Sequence, residues 1–378
     1  MSVILMVATI GLLVSLFLLV YPFLVYPLLL RVFPKGSGVE PVETDGPKQT
    51  FALLLCARNE ADVLPATLAR LRMVKAGWPE LDIIAYDDAS TDATNTMLQG
   101  ASAFLTPLGG KTQRGKAAGI RRMLEVCTAD VVLFMDANVL VMAQDMLRFK
   151  THFADPTVGA VGCRLLYAVR EDSTSAKVGG AYWKLEEKIK GLETATGSMM
   201  GCDGALWGMR RAIYPIFDGA ESDDFRPSMQ AIFEGYRVVS APDIRGVEVL
   251  DQSVWREFRR KIRVSCGAWH AHRTMRPQLA RMGVINKLKY LSHKWLRWFS
   301  AVWLGLTLVF AGVLAAAASG LVIYGAMLLL GLGLAALKVR PFAQCAQIGL
   351  AMVATLWGVV IASRGHRRET WSPARAQR

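Results

Sequence analysis

Phe51-Ala-Leu-Leu-Leu-Cys-Ala-Arg-Asn-Glu60 begins a pattern that decides the fold. Six apolar residues, long enough for a strand and too short for a helix, give way to a polar cluster. The same happens at Leu81-Asp-Ile-Ile-Ala-Tyr-Asp-Asp88 and at Val131-Val-Leu-Phe-Met-Asp-Ala-Asn138. Phe51–Cys56, Leu81–Tyr86, Val131–Met135 and Val158–Cys163 therefore read as strands, and the amphipathic stretches 62–76, 91–99, 115–126 and 144–153 read as helices. A strand plus helix every ~30 residues is the period of a βαβ unit. Residues 51–251 are expected to form one α/β domain with a mostly parallel sheet.

The polar clusters Arg58-Asn59-Glu60, Asp87-Asp88 and Asp136-Ala137-Asn138 each follow a strand. Ligands of open α/β sheets bind at the carboxyl ends of strands, so three such clusters describe one pocket. Any one of them alone could be no more than a turn or a helix cap.

Outside this block the chain is oily or basic. The formal net charge is +13, from 44 Lys+Arg and 31 Asp+Glu. Residues 52–251 contribute −4, whereas 252–298 carry 12 basic side chains and one acidic, and 299–378 carry seven and one. A nucleic-acid-binding domain should itself be basic, so no nucleic-acid partner is expected. Basicity beside the domain suits anionic membrane lipids instead. With 53% hydrophobic residues the chain is not disordered. Its six scattered Cys, with no CxxC pair, suit reduced thiols rather than a zinc site or a disulfide framework.

Met1–Leu30 contains no charge and is long enough to cross a ~30 Å hydrocarbon core. It lacks the basic start and cleavage site of a secretory leader and reads as an N-terminal anchor, with Tyr21, Pro22, Tyr26 and Pro27 at its interfacial end. Phe299–Leu337 is long enough for two spans meeting near Ser319-Gly320, and Pro341–Ser363 is a third span or an interfacial helix. Arg31, Lys35, Lys287, Lys289, Lys294 and Arg297 flank the apolar runs and place 31–298 in the cytoplasm of a multi-pass protein. Three C-terminal spans would put Arg364, Arg367 and Arg368 outside, against that rule. Within 252–298, Trp255, Phe258, Trp269, Tyr290, Trp295, Trp298 and Phe299 alternate with basic residues, as in interfacial helices. His270 and His272 there suit neutral or phosphate-facing positions better than a metal pair. The domains expected are an anchor at 1–30, a linker at 31–50, the α/β domain at 51–251, basic aromatic helices at 252–298, membrane helices at 299–363 and a basic tail at 364–378.

The clusters, in order and spacing, resemble the membrane-bound bacterial branch of the inverting family 2 glycosyltransferases, whose fold is GT-A. Cys56-Ala57-Arg58-Asn59-Glu60 looks like the family's first nucleotide loop, and Asp87-Asp88-Ala-Ser-Thr-Asp-Ala-Thr94 like its DDxSxDxT segment. The resemblance implies that one carboxylate of that pair takes hydrogen bonds from the base or ribose of a nucleotide sugar, expected to be UDP-linked. Gly115-Lys116 resembles a helix start beside the donor, which suits an anionic group. Asp136-Ala137-Asn138 stands at the DxD motif, implying Mg²⁺ or Mn²⁺ held by Asp136 and Asn138, with less charge than two Asp would give. Ser222-Asp223-Asp224-Phe225 aligns with T-E-D-[YF], making Asp224 the catalytic base and Asp223 its support; adjacent carboxylates raise each other's proton affinity.

Gly197-Ser-Met-Met-Gly-Cys-Asp-Gly-Ala-Leu-Trp207 resembles the segment beside sugar and acceptor, with Gly201 and Gly204 allowing close approach and Asp203 or Trp207 meeting a sugar. The alternative there is a buried turn with a core Trp. Arg260-Lys-Ile-Arg263-Val264 resembles (Q/R)xxRW, which assigns Arg260 and Arg263 to the diphosphate. Val264 replaces the Trp of processive synthases, so transfer of one sugar to a lipid or lipid-linked acceptor at the bacterial inner membrane is expected. A processive polysaccharide synthase and a non-catalytic membrane scaffold are the alternatives.

Overall fold

The computed structural model describes residues 3–35, 49–168, 174–217, 219–249, 254–337, 339 and 341–367. Most of the expected linker, residues 36–48, and the tail from Arg368 onward lie outside the described residues. The chain starts with α1 (Val3–Val20) and α2 (Val25–Val32). The α/β domain follows as β1 (Phe51–Ala57), α3 (Leu64–Gly77), β2 (Asp82–Asp87), α4 (Thr94–Gly100), β3 (Thr106–Gly109), α5 (Lys116–Val126), β4 (Val131–Asp136), β5 (Val139–Val141) and α6 (Ala143–Ala154). It continues with β6 (Val158–Ala168), α7 (Thr174–Ala195), β7 (Leu206–Arg210), α8 (Phe225–Phe233) and β8 (Arg237–Val249). The C-terminal part is helical: α9 (Val254–Arg281), α10 (Val284–Tyr290), a π-helical turn at Leu291–Trp295, α11 (Leu296–Trp298), α12 (Ser300–Ala317), α13 (Leu321–Ala336) and α14 (Phe342–Ser363).

All eight strands form one sheet in the order β3-β2-β1-β4-β7-β6-β8-β5. The half containing β3, β2, β1 and β4 is parallel, as the strand–helix period requires. Beyond β4 the sheet is mixed: β7 runs antiparallel to both neighbours, β6 and β8 are parallel, and β5 closes antiparallel on β8. β1 is buried along its whole length because helices cover both faces. Its side chains alternate between two cores. Leu53 and Leu55 join Phe149 and Phe153 under α3 and α6, while Leu54 and Cys56 join Phe134, Met123 and Phe225 on the face of α5 and α8.

The helices outside the domain hold two surprises. α1, α12 and α14 are long and apolar enough to cross a membrane, and α13 is shorter. α1 and α12 pack closely: Thr307 Oγ1 donates to Ser15 Oγ over 3.1 Å, and a Cβ on Gly11 would meet the Phe310 ring at 2.5 Å. Yet α14 is more than a span. Near its end Gly358 lies so close to α9 that a Cβ there would meet Ile262 O at 2.5 Å, and Val359 enters the same core as Phe225 and Trp298. Beyond it, His270 Nε2 lies 2.8 Å from His366 O. The end of α14 therefore packs against the domain through α9.

The second surprise is that part of the basic aromatic stretch is internal. Tyr26, Tyr290, Trp298 and Lys289 are buried and Arg297 is half-buried, whereas Trp255 is exposed. Tyr26 donates to Glu193 Oε1 (2.5 Å), His293 bridges Glu193 and Glu186 at 2.9 and 2.7 Å, and Arg297 reaches Glu186 at 2.6 Å. Both ring nitrogens of His293 face carboxylates. Lys289 Nζ donates to the carbonyls of Glu193, Thr196 and Ser198 at 3.0–3.1 Å, closing the end of α7. Burial lowers this ammonium to about 8, and the three carbonyls offset the lost hydration. An amphipathic pattern records that a helix has an apolar partner, and here the partner is protein. His272 is likewise internal: burial, with the charge of Arg276, lowers it to about 4, so it is neutral, and its Nδ1 lies 2.8 Å from Tyr290 Oη.

Candidate active site

The loops after β1 and β2 are laced to each other. Asn59, at φ 50°, accepts from Thr91 N (2.8 Å) and its own N–H donates to Ser90 Oγ (2.9 Å). Glu60 N donates to Thr94 Oγ1, and Arg58 Nη1 donates to the carbonyls of Asp88 and Ala89. The carboxylate of Asp87 faces Ser90 N at 3.2 Å. Asp88 is wholly buried, and its two oxygens accept from Arg114 N and Gly115 N at 2.8 and 3.0 Å. Asp88 thus holds the start of α5. Ala57 is similar: it is buried, and its carbonyl accepts from Asp88 N. Arg58 Nε is buried with no partner among the described residues.

Lys116 stands at the centre. Its Nζ lies 2.7 Å from Asp136 Oδ1, at the end of β4, and 2.7 Å from Asp223 Oδ2, in the loop before α8. Burial opposes the charge of Lys116, but the two carboxylates hold its pKa well above the usual lysine range. Burial likewise opposes ionisation of Asp223, and the Lys116 ammonium prevails and holds that carboxyl below its usual range. Asp224 behaves oppositely: burial first, then the charge of Asp223, push it up to about 6. One oxygen of Asp224 accepts from Phe225 N (2.6 Å) and from Ser222 Oγ, capping α8. The third acid of this run, Glu221, is bound to Thr274 of α9 and Arg226, so it faces away from Lys116.

The Gly-rich segment forms a shelf under Asp224. Met199 N donates to Val238 O, Met200 N to Glu193 Oε2 and Cys202 N to Ser228 Oγ. Gly201 has φ +93°, and a Cβ there would meet the Phe225 ring at 2.7 Å. A Cβ on Gly204 would meet Asp224 Oδ2 at 2.7 Å. Gly204→Ala should therefore displace the Asp224 carboxylate and lower kcat by roughly 10²-fold, the scale of a 1 Å misplacement. The melting temperature should change little, because the clash is relieved by rotating one side chain; kcat and a melting curve on the same preparation check both halves.

Asp203 is held by Lys190 of α7, which also pairs with Glu187 at 2.9 Å. Trp207 requires a correction. It is fully buried and stacks on Phe134 with ring centroids 4.3 Å apart, so it is core and cannot meet a sugar. It belongs to β7, which lies between β4 and β6 in the sheet. Arg260 and Arg263 lie one turn apart on α9. Arg260 pairs with Glu257 at 2.7 Å, and the charge of Arg263 is felt at Asp223. Asn138 Nδ2 donates to Glu248 Oε1 of β8 over 3.3 Å. Glu248 and Lys190 were not visible as site residues. Lys190 has a faint signal in the helical spacing of Glu186, Glu187, Lys190 and Glu193, whereas Glu248 lies in a stretch whose sequence carries no clear strand or helix period.

Asp136, Asn138 and Glu248 offer only oxygen ligands, a donor set that fits a hard divalent cation. Among the described residues no three or more His, Cys, Asp or Glu converge on one point, so ligand oxygens would have to complete such a site.

Residues 53–217 match the family described as Glycosyl transferase family 2. Two curated relatives are the Pre-mycofactocin glycosyltransferases of Mycobacterium tuberculosis strains CDC 1551 / Oshkosh and ATCC 25618 / H37Rv. Each is 25% identical over 150 residues, covering 39% of this chain and 31% of theirs. The chain thus spans about a third of the length of the curated relatives it matches. Among solved structures, mannosyltransferase PcManGT from Pyrobaculum calidifontis, in complex with GDP-Man and Mn²⁺, is similar with a TM-score of 0.69 at 21% identity. That match covers 94% of this chain and 98% of the other. The likeness is one of fold, and that fold is GT-A.

Proposed function

We propose that this protein is an inverting glycosyltransferase that moves one sugar from a nucleoside diphosphate sugar to a hydroxyl of a lipid or lipid-linked acceptor. Its place would be the cytoplasmic leaflet of a bacterial inner membrane. The observation that carries the reading is Asp224, a carboxylate raised to about 6 beside the ion-paired Asp223, Lys116 and Asp136. A base near neutrality both ionises at working pH and accepts a proton readily.

In the reaction, Asp224 takes the proton of the acceptor hydroxyl while its oxygen forms a bond to the anomeric carbon. The bond from that carbon to the diphosphate oxygen breaks, and the diphosphate leaves with the electron pair. Attack from the face opposite the leaving group inverts the anomeric centre. Arg263, whose charge is felt at Asp223, and Arg260, one turn before it, would hold the diphosphate through their guanidinium groups. Asp136 and Asn138 would hold Mg²⁺ or Mn²⁺, whose charge favours the departing diphosphate.

The lipid acceptor is supported by position. Phe225, next to the base, packs in one core with Tyr290, Trp298 and Val359, of which Val359 belongs to the apolar helix α14 and Trp298 immediately precedes α12. Trp255, Arg263 and Val264 of α9 are exposed. Val264, in place of an aromatic, supports single transfer. The GDP-Man bound by PcManGT makes GDP-sugars, as well as the expected UDP-sugars, the donors to test.

Purified protein in detergent should be protected from thermal unfolding by one class of nucleotide sugar, since a bound donor stabilises the native state. With that donor radiolabelled and a membrane lipid extract added, one product carrying a single sugar is expected. A ladder of lengths would indicate a processive synthase, and no donor protection with no transfer would refute the enzymatic reading.

A further inference from the structure

We propose that Glu248 is a direct ligand of the divalent cation, supplying the negative charge that Asn138 lacks; this rests on the glycosyltransferase reading above. The sheet places it there. β5 runs antiparallel to β8 with Val139 opposite Glu248, so the carboxylate arrives beside Asn138, two residues beyond the end of β4. Asn138 Nδ2 reaches Glu248 Oε1 at 3.3 Å, a long contact, and turning the Asn138 amide would direct both residues' oxygens to one place.

Charge makes the case stronger. Asp136 is bound to Lys116 at 2.7 Å, so that pair brings no net negative charge to a dication. Asn138 is neutral. Asp136 and Asp223 share the one ammonium of Lys116, so without Glu248 the only anionic ligand beside the cation is a carboxylate already bound to a lysine. Glu248 adds a second carboxylate, and the diphosphate of the donor provides the rest. Mg²⁺ and similar cations are commonly held in this way, by one or two carboxylates plus substrate phosphates and water. The set of two carboxylates and an amide also explains why no cluster of three acidic, His or Cys ligands is needed.

The test is Mn²⁺ binding to the full-length protein in detergent, read from the electron paramagnetic resonance signal of free Mn²⁺, with GDP or UDP present and no turnover. Glu248→Gln keeps the size of the side chain and its contact with Asn138 but removes the charge. It should weaken Mn²⁺ binding by at least about tenfold, the scale reached even by residues outside the ligand shell, with an unchanged melting temperature without metal. Asn138→Asp in the Glu248→Gln background should restore the affinity by returning a carboxylate to the site. If Glu248→Gln binds Mn²⁺ like the wild type while Asp136→Asn does not, the role of Glu248 is refuted and the metal site stands. If the wild type and every variant bind no Mn²⁺ with either nucleotide, the metal itself is refuted.

Discussion

Asp224→Asn should lower kcat by roughly 10²–10⁴-fold, the range over which a positioned base contributes, with little loss of stability. The two halves of this expectation have separate causes. Asp224 caps α8, accepting from Phe225 N and Ser222 Oγ. Asn is as good an N-cap as Asp, so its amide oxygen keeps those bonds and the fold. What Asn cannot do is take a proton from a hydroxyl. The pH dependence follows from the raised proton affinity of Asp224, at about 6. The base works only when ionised, so wild-type kcat/KM should be level above pH 7 and fall as the pH drops through about 6. That limb should be missing in the residual activity of Asp224→Asn. Because Asp223 contributes to the raised value, Asp223→Asn should move the limb to lower pH. The apparent value belongs to the coupled pair and is best read from both variants together. Rates measured from pH 5 to 8.5 decide the matter: a wild-type acid limb that persists unchanged in Asp224→Asn would assign the proton to another group.

The parts of the fold that were legible share one property: their hydrophobic pattern is local. β1, β2, β4 and β6, each a short apolar run, and the helices between them fall within a few residues of the expected positions. β7 and β8 were missed for a physical reason. β8 carries Pro242, Asp243 and Gly246 and reads as a loop, yet it pairs with β6 through a register shift that accommodates the irregularity. Strand propensity says little there because the partner strand supplies the stability. The site divides in the same way. Arg58-Asn59-Glu60, Asp87-Asp88, Asp136 and Asp223-Asp224 are contiguous motifs and could be named. The bridge from Lys116 to Asp136 and Asp223, and the meeting of Asn138 with Glu248, join segments remote in sequence and exist only after folding. Trp207 could have been a sugar platform or core, and only its place on an interior strand decides for core. The same limit applies to Lys289 and Arg297: their sequence neighbourhood is that of a membrane collar, and their carbonyl and carboxylate partners come from α7.

Lys116→Met should be as damaging as loss of the base, and for a different reason. Met keeps the aliphatic stem and the packing at the start of α5, so the change isolates the charge. In the wild type one ammonium separates two carboxylates, Asp136 at the end of β4 and Asp223 in the loop before α8. It also lowers the proton affinity of Asp223 and Asp224. Without it, like charges face each other and compete for a proton. Two consequences have definite signs. Asp224 becomes harder to ionise, so the acid limb of kcat/KM moves above pH 6, and activity at neutral pH falls by roughly 10²–10³-fold, the scale for losing one preorganised electrostatic group. The variant's carboxylates are also more easily protonated folded than unfolded. Their contribution is therefore present at low pH and lost as the pH rises through the raised folded values, making the stability deficit larger at pH 8 than at pH 5.5. Melting temperatures at those two pH values, with rates across the same range, test both signs. If the deficit were equal at the two pH values and the limb stayed near 6, Lys116 would be a packing residue, and the link between the donor and acceptor carboxylates would have no electrostatic role.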